Sequence, residues 1–312
     1  MVNEPGHKII PFYLITGFLG SGKTTLLREI LQYYSAERRI AVIQNEFAPS
    51  GIDGKELEMS ASGFRLVEVN NGSVFCVCLM ADFISQLEKL IDEYRPGMIF
   101  LEASGLADPV NIIELTGKEG IRGRIVPEHI ITVADAVNFD RGMKALPRFR
   151  HQIMVADTVM LNKTDIFRGD IQLIRDQIVS LNPYARIIET AYCKIDIKQL
   201  TEGWRPGQRA AHTLAGTEPG GRPEINACVL RGHDRMTVEG LRLFIGELQK
   251  SSPRIKGFVN LDDGRVMAVQ SVFGTFELSG IRGYEGPTEL IAFGRGLTPG
   301  LLRELMKRYK KV

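Results

Sequence analysis

From residue 10 to about 200, short apolar runs alternate with stretches whose apolar positions recur every three or four residues. The runs are Ile10–Thr16, Ile40–Ile43, Met98–Leu101, Ile130–Val133 and Thr158–Leu161. Each has strand length, and unbroken apolarity predicts burial on both faces. The helical stripes are Leu26/Leu27/Ile30/Leu31/Tyr34, Phe83/Ile84/Leu87/Leu90/Ile91/Tyr94 and Ile171/Ile174/Ile178/Leu181. Alternation of this kind predicts an α/β domain over 8–200, with a mostly parallel sheet covered by helices. Residues 201–223 are rich in Gly, Pro, Arg, Thr and Glu and read as a linker. Over 224–312 the rhythm changes. Gly257–Leu261, the turn Asp262-Asp263-Gly264 and Val266–Val269 predict a hairpin. A last helix starts with Thr298 as N-cap and Pro299 at its first position. This second unit is expected to be a smaller α+β domain with an antiparallel sheet. No internal repeat is visible.

Composition narrows the setting. A chain of 312 residues with a formal charge of +2 offers no bulk argument for nucleic acid or an anionic membrane as partner. The basic run Lys307–Lys311 suits a helix C-terminus. No apolar run reaches membrane-span length, and the N-terminus lacks the apolar core of a signal peptide. Four cysteines, two of them close together, do not make a disulfide framework. The expected location is cytoplasmic.

The chemistry begins at Gly17-Phe18-Leu19-Gly20-Ser21-Gly22-Lys23-Thr24, which fits the phosphate-binding pattern G-x-x-x-x-G-K-[ST] at every fixed position. A buried strand leads in and an amphipathic helix leads out, as the chemistry requires. Glycines let successive N–H groups turn toward phosphate oxygens, and the helix N-terminus adds partial positive charge. Gly17, Gly20, Ser21, Gly22, Lys23, Thr24 and Thr25 form the candidate phosphate set. Lys23 would reach the β/γ-phosphates, and the Thr24 hydroxyl would ligate Mg²⁺.

Two further motifs point to the nucleotide. Asn162-Lys163-Thr164-Asp165 directly follows an apolar strand and fits N-K-x-D. The Asp165 carboxylate can accept both N–H donors on one edge of guanine, a pair that adenine does not offer. Asn162 would hold the loop and contact the base, while the Lys163 stem lies along the ring. GTP is therefore favoured over ATP, since a site built to hydrogen-bond a group rejects analogues lacking it. Glu102-Ala103-Ser104-Gly105 ends another strand. There Glu102 would hold Mg²⁺ through water, and the Gly105 N–H would sense the γ-phosphate.

Together these residues resemble the CobW-type GTPases, relatives of the GTPases that insert nickel into hydrogenase and urease. Val42–Phe47 with Gly51–Gly54 resembles the family's switch region, which carries Glu46 and Asp53. Glu102–Pro109 resembles its extended second motif, and Gln152-Ile153 to Ala156-Asp157 its approach to the base loop. Lys256-Gly257-Phe258 with Phe293–Leu297 resembles the family's carboxy-terminal domain. The resemblance implies GTP hydrolysis coupled to delivery of a metal, or a metal-containing cofactor, to a client metalloprotein or cofactor-dependent enzyme.

One departure matters. The family usually follows Asn-Gly with Cys-x-Cys-Cys, whereas Asn71-Gly72 here leads into Ser73-Val74-Phe75-Cys76-Val77-Cys78. In an extended segment Cys76 and Cys78 would share one face and could grip Zn²⁺, Co²⁺ or Ni²⁺. Two thiolates do not complete a tetrahedral site. The resemblance suggests Glu46 as a further ligand, with His151 or a client side chain as alternatives. Both cysteines could equally be small buried hydrophobes, the expectation also for Cys193 and Cys228. The linker's single His212 argues against metal storage.

The expected reaction is attack of water on the γ-phosphate of GTP, with Lys23, Thr24 and Glu102 as the catalytic set. No water-positioning glutamine or arginine finger is identifiable, and Gln44 near the switch suits packing as well. Two rivals stay open. One is a regulatory or activator GTPase that no longer binds metal and services a corrinoid- or metal-dependent enzyme by conformational work alone. The other is a P-loop small-molecule kinase. A homodimer is left open.

Overall fold

The computed structural model describes residues 9–34, 39–46, 64–70, 77–105, 107–201, 226–272, 274–294 and 296–310. Seven parallel strands form the first sheet: β1 (Ile10–Thr16), β2 (Ile40–Glu46), β3 (Phe64–Asn70), β4 (Met98–Glu102), β5 (Ile125–Asp135), β6 (Thr158–Asn162) and β7 (Arg186–Glu189). Their order is β3-β2-β4-β1-β5-β6-β7. The central strands are the unbroken apolar runs, and β4 and β6 are buried at all five positions. The edge strands β3 and β7 are more polar and were not among the predicted runs.

Helices cover both faces. On one side α1 (Lys23–Tyr34) buries Leu26, Leu27, Ile30, Leu31 and Tyr34. On the other side lie α2 (Val77–Lys89), α3 (Pro109–Leu115), α4 (Phe139–Ala145), α5 (Pro147–Val155) and α6 (Ile171–Leu181). The 3.6-residue spacing of their apolar positions is what turns one stripe of each toward the sheet. A short helix, α7 (Ile197–Thr201), closes this domain and adds Ile197 and Leu200 to the apolar cluster beneath α1. The α2 helix runs on into one π turn, Leu90–Tyr94, ended by Arg95 in the left-handed region at φ 51°.

The second unit is a five-stranded antiparallel sheet, ordered β11-β10-β9-β12-β8, from β8 (Asn226–Gly232), β9 (Arg254–Asn260), β10 (Val266–Val272), β11 (Thr275–Ile281) and β12 (Thr288–Gly294). The expected hairpin is β9–β10, with Val266 opposite Asn260. Two helices, α8 (Val238–Leu248) and α9 (Pro299–Tyr309), cover one face with a separate core. As the sequence suggested, Thr298 caps α9 by accepting from Leu301 N, and proline occupies its first turn.

The other face of this sheet packs on the first domain. Ala227, Val229, Phe258, Ile291 and Phe293 share a cluster with Val110, Ile113, Phe149 and Ile153. Charged pairs sit within that apolar contact. Asp157, just past α5 and 4% exposed, accepts from Lys256 Nζ at 2.8 Å and from Arg254. Its second oxygen accepts the Ile130 N–H at 2.8 Å. Burial would raise the Asp157 carboxyl, but the two cations hold it well below the usual carboxylate range. Among the described residues no helix is long and apolar enough to cross a membrane.

Candidate functional site

The site lies at the C-terminal edge of the parallel sheet, where β1, β4, β5 and β6 all end. The loop after β1 curls because its glycines adopt conformations that side chains rarely take: Gly22 has φ 109°, and a Cβ there would stand 2.5 Å from Asn162 Nδ2. Ser21 N donates to Phe18 O at 3.2 Å, closing the turn. Lys23 opens α1, buried, with its ammonium on Phe18 O at 3.3 Å. No acidic residue stands in the first turn of α1 to oppose an anion. The cradle is thus backbone N–H groups, a helix N-terminus and one lysine, the chemistry that holds a polyphosphate.

Thr24 and Glu102, far apart in sequence, meet here. The Thr24 hydroxyl donates to Glu102 Oε1 at 3.0 Å, and Gln44 Nε2 donates to Oε2 at 2.9 Å. Gln44 therefore does more than pack: it orients a buried carboxylate toward α1. A hydroxyl beside a buried carboxylate at the mouth of a phosphate cradle is a hard-oxygen donor set, and it fits Mg²⁺ completed by phosphate and water. Gly105 lies against the cradle, since a Cβ there would be 2.9 Å from Leu19 N.

The loop after β6 is tied to the cradle. Asn162 is buried and donates to Ser21 O at 2.9 Å, while its carbonyl accepts from Cys193 N at 3.0 Å. Asn162 thereby joins the phosphate loop, its own loop and the turn after β7, in which Tyr192 and Cys193 both have φ 55°. That turn escaped the sequence reading; consecutive side chains in the left-handed region cannot be foreseen from residue types that give no glycine signal. Lys163, itself at φ 65°, sets its ammonium 2.7 Å from Asp135 Oδ2. Burial would raise the Asp135 carboxyl, but the bonds from Lys163 and Asn138 lower it. Asp135 was also missed, for nothing in its strand-end context marks it. Asp165 stands exposed on the same loop, and Thr25 follows Thr24 in the first turn of α1.

Cys76 lies outside the described residues. Val77 and Cys78 are the first two residues of α2, so Cys78 stands in a helix rather than in an extended strand. The run Val77–Met80 carries the apolar density of either element, and the stripe that follows it decides for helix. Glu46 is the last residue of β2 rather than a loop residue, while Asp53 and His212 fall outside the described residues. His151 is no spare ligand: Nε2 lies 2.9 Å from Glu289 Oε1 and Nδ1 3.4 Å from Asp108 Oδ1. Among the described residues no three His, Cys, Asp or Glu side chains cluster as a metal site. Cys193 and Cys228 are buried, and burial pushes their thiols up to about 12 and about 11. Cys228 packs in the core of the second unit, while Cys193 Sγ donates to Gly22 O of the phosphate loop at 3.3 Å.

Fold and site together define a P-loop nucleotide-binding protein with an attached antiparallel domain. Residues 11–189 match the family model described as CobW/HypB/UreG, nucleotide-binding domain. The chain belongs to that family. A zinc chaperone CobW from a Sinorhizobium species is 32% identical over 199 residues, 55% of this chain and 56% of that protein. Zinc-regulated GTPase metalloprotein activator 1 of Schizosaccharomyces pombe is 33% identical over 195 residues, 60% of this chain and 47% of that one. Zinc chaperone YjiA of Escherichia coli is 31% identical over 192 residues, 59% of this chain and 58% of that one. The chain thus spans about half the length of the curated relatives it matches. The crystal structure of Zn(II)-bound YjiA GTPase aligns over 97% of this chain and 99% of that one, with TM-score 0.52 and 22% identity, a likeness of fold.

Proposed function

We propose that this chain binds and hydrolyses GTP and uses the nucleotide cycle to govern handover of a metal ion, zinc first among candidates, to a client protein. The observation that carries the reading is the convergence of three strand ends. The Lys23 cradle, the Thr24–Glu102 pair and the Asn162 loop tied to Ser21 stand together in one cleft edge. Family membership and the names of the relatives, zinc chaperones and a zinc-regulated GTPase metalloprotein activator, support it.

In this account the amides of the phosphate loop and Lys23 meet charge that develops on the transferring group. Thr24 and Glu102 would hold Mg²⁺, which when bound neutralises phosphate oxygens. Gln44 keeps Glu102 aimed at that position. Asp165 reads guanine, and Asp135 steadies Lys163 beside it. Asn162 holds the base loop and the phosphate loop at fixed spacing. No described side chain offers itself as the water-activating group, so slow intrinsic turnover that a client accelerates is expected. The setting would be cytoplasmic.

A second reading, a regulatory GTPase without bound metal, is favoured by Ser73 and Phe75 at family thiol positions and by the helical start at Val77. One experiment separates them. The full chain is titrated with Co²⁺ with and without a non-hydrolysable GTP analogue, while GTP and ATP turnover are measured in parallel. Thiolate–Co²⁺ absorption that needs the nucleotide and is lost in Cys76→Ser supports metal handover. GTP turnover with no such bands supports the regulatory reading. Equal turnover of ATP and GTP sinks both.

A further inference from the structure

The loop that carries Glu102 and Gly105 is gripped from behind by both domains. Gln152 of α5 donates its amide to Gly105 O at 3.2 Å and to Ala107 O at 3.0 Å. At the far end of the loop Asp108 caps α3 by accepting from Val110 N at 2.9 Å. The same carboxylate meets His151 Nδ1 at 3.4 Å and Arg231 Nη2 at 3.3 Å. His151 and Arg231 both turn to Glu289 of β12, at 2.9 and 2.5 Å. A closed ring of alternating charge results: Asp108, His151, Glu289, Arg231. Two members belong to each domain, and Arg231 also reaches Asn111 of α3 at 3.1 Å.

Glu289 has only 3% of its side chain exposed. Burying a carboxylate between apolar layers is a poor route to stability, because desolvation consumes most of the Coulombic gain. What such a ring supplies is one fixed arrangement of its members. The loop packs closely on the phosphate cradle, since a Cβ at Gly105 would stand 2.9 Å from Leu19 N.

We infer that Arg231 and Glu289 are positioning residues for GTP hydrolysis: acting through Asp108 and His151, they fix the Glu102–Asp108 loop against the phosphate cradle, so that turnover depends on the seating of the C-terminal domain. The inference rests on the GTPase reading and deepens it by naming how the second domain controls the same site. Because linkage is reciprocal, a loop rearranged by the γ-phosphate also changes how firmly the C-terminal sheet is held.

The test uses the full chain with Glu289→Gln and, separately, Arg231→Gln, the latter at a half-exposed position that tolerates substitution if the buried variant fails to fold. Steady-state turnover, the Kd of a fluorescent GTP analogue and thermal unfolding are measured for each. The expected result is a fall in kcat of about 5- to 20-fold, within the usual range of coupling between sites, with Kd changed less than about twofold. In an Asp108→Asn background, where the ring is already broken, Glu289→Gln should lower kcat no further. Unchanged kcat in a folded variant overturns the inference. So does a loss of kcat that merely tracks the fraction unfolded, or one that persists undiminished in the Asp108→Asn background. Absence of GTP turnover in the wild-type chain sinks the GTPase reading itself, a different outcome from wild-type turnover that ignores Arg231 and Glu289.

Discussion

Asp157 should be among the most expensive residues in the chain to remove. It is 4% exposed, its Oδ1 faces Arg254 and Lys256, and its Oδ2 accepts the Ile130 N–H. Replacing it with alanine leaves two cations in an apolar interface without a counter-charge, which costs about 3–5 kcal/mol. The orphaned Ile130 N–H adds about 1–3 kcal/mol. Asp157→Ala is therefore predicted to lose about 4 kcal/mol or more, a drop in Tm of roughly 8–16 °C at about 2–4 °C per kcal/mol. Asp157→Asn keeps an acceptor for Ile130 and should lose about 1 kcal/mol less. The decisive variant is Asp157→Asn with Arg254→Met and Lys256→Met. With every charge gone it should recover to within about 2 kcal/mol of wild type, because apolar replacement of a whole buried ion cluster is often neutral. Urea unfolding of all three provides the numbers. A loss below about 1 kcal/mol for Asp157→Ala, or a triple variant no better than Asp157→Asn alone, would mean that the uncompensated cations are not what Asp157 holds in check.

Three further outcomes follow from the same geometry. Asn162→Ala removes the bonds to Ser21 O and Cys193 N and should cost about 2–4 kcal/mol in urea unfolding, with GTP affinity weakened beyond the stability loss. Gly105→Ala forces a Cβ against Leu19 N and should weaken a fluorescent GTP analogue at least tenfold at nearly unchanged circular dichroism. His151 gives a pH signature: burial opposes its charge, yet bonds to Asp108 and Glu289 raise it from 6.5 to about 9. A raised folded value means the stabilisation is complete below about 6.5 and disappears as pH rises through about 9, up to about 3 kcal/mol at roughly 1.4 per unit. Wild type should lose that stability between pH 7 and pH 10, His151→Asn should not, and parallel urea midpoints for the two would contradict the assignment.

Much of this architecture is legible in the order of residues alone, and it stops being legible for physical reasons. The phosphate cradle is legible because its glycines, lysine and threonine are contiguous and flanked by a strand and a stripe. Glu102 and Asn162 are legible because they terminate strands that end beside it. Asp135 is not, since its partner Lys163 is reached only through the parallel register that sets Asp135 opposite Asn162. His151 illustrates the converse. As an isolated histidine it suits a metal ligand; only the docking of β12 onto α5 supplies Glu289 and makes it one corner of an ion ring. The start of α2 fails for a third reason, that a four-residue apolar run has no period of its own.

A backbone-lined phosphate cradle and a loop carrying Asp165 are expected to select guanine together. Equilibrium binding of fluorescent GTP and ATP analogues to the full chain, beside Asp165→Asn, tests this selection most directly. GTP should be preferred by about 10³-fold or more, with that preference lost in Asp165→Asn and replaced by affinity for xanthosine triphosphate. Comparable affinity for GTP and ATP, or a preference untouched by Asp165→Asn, would contradict it.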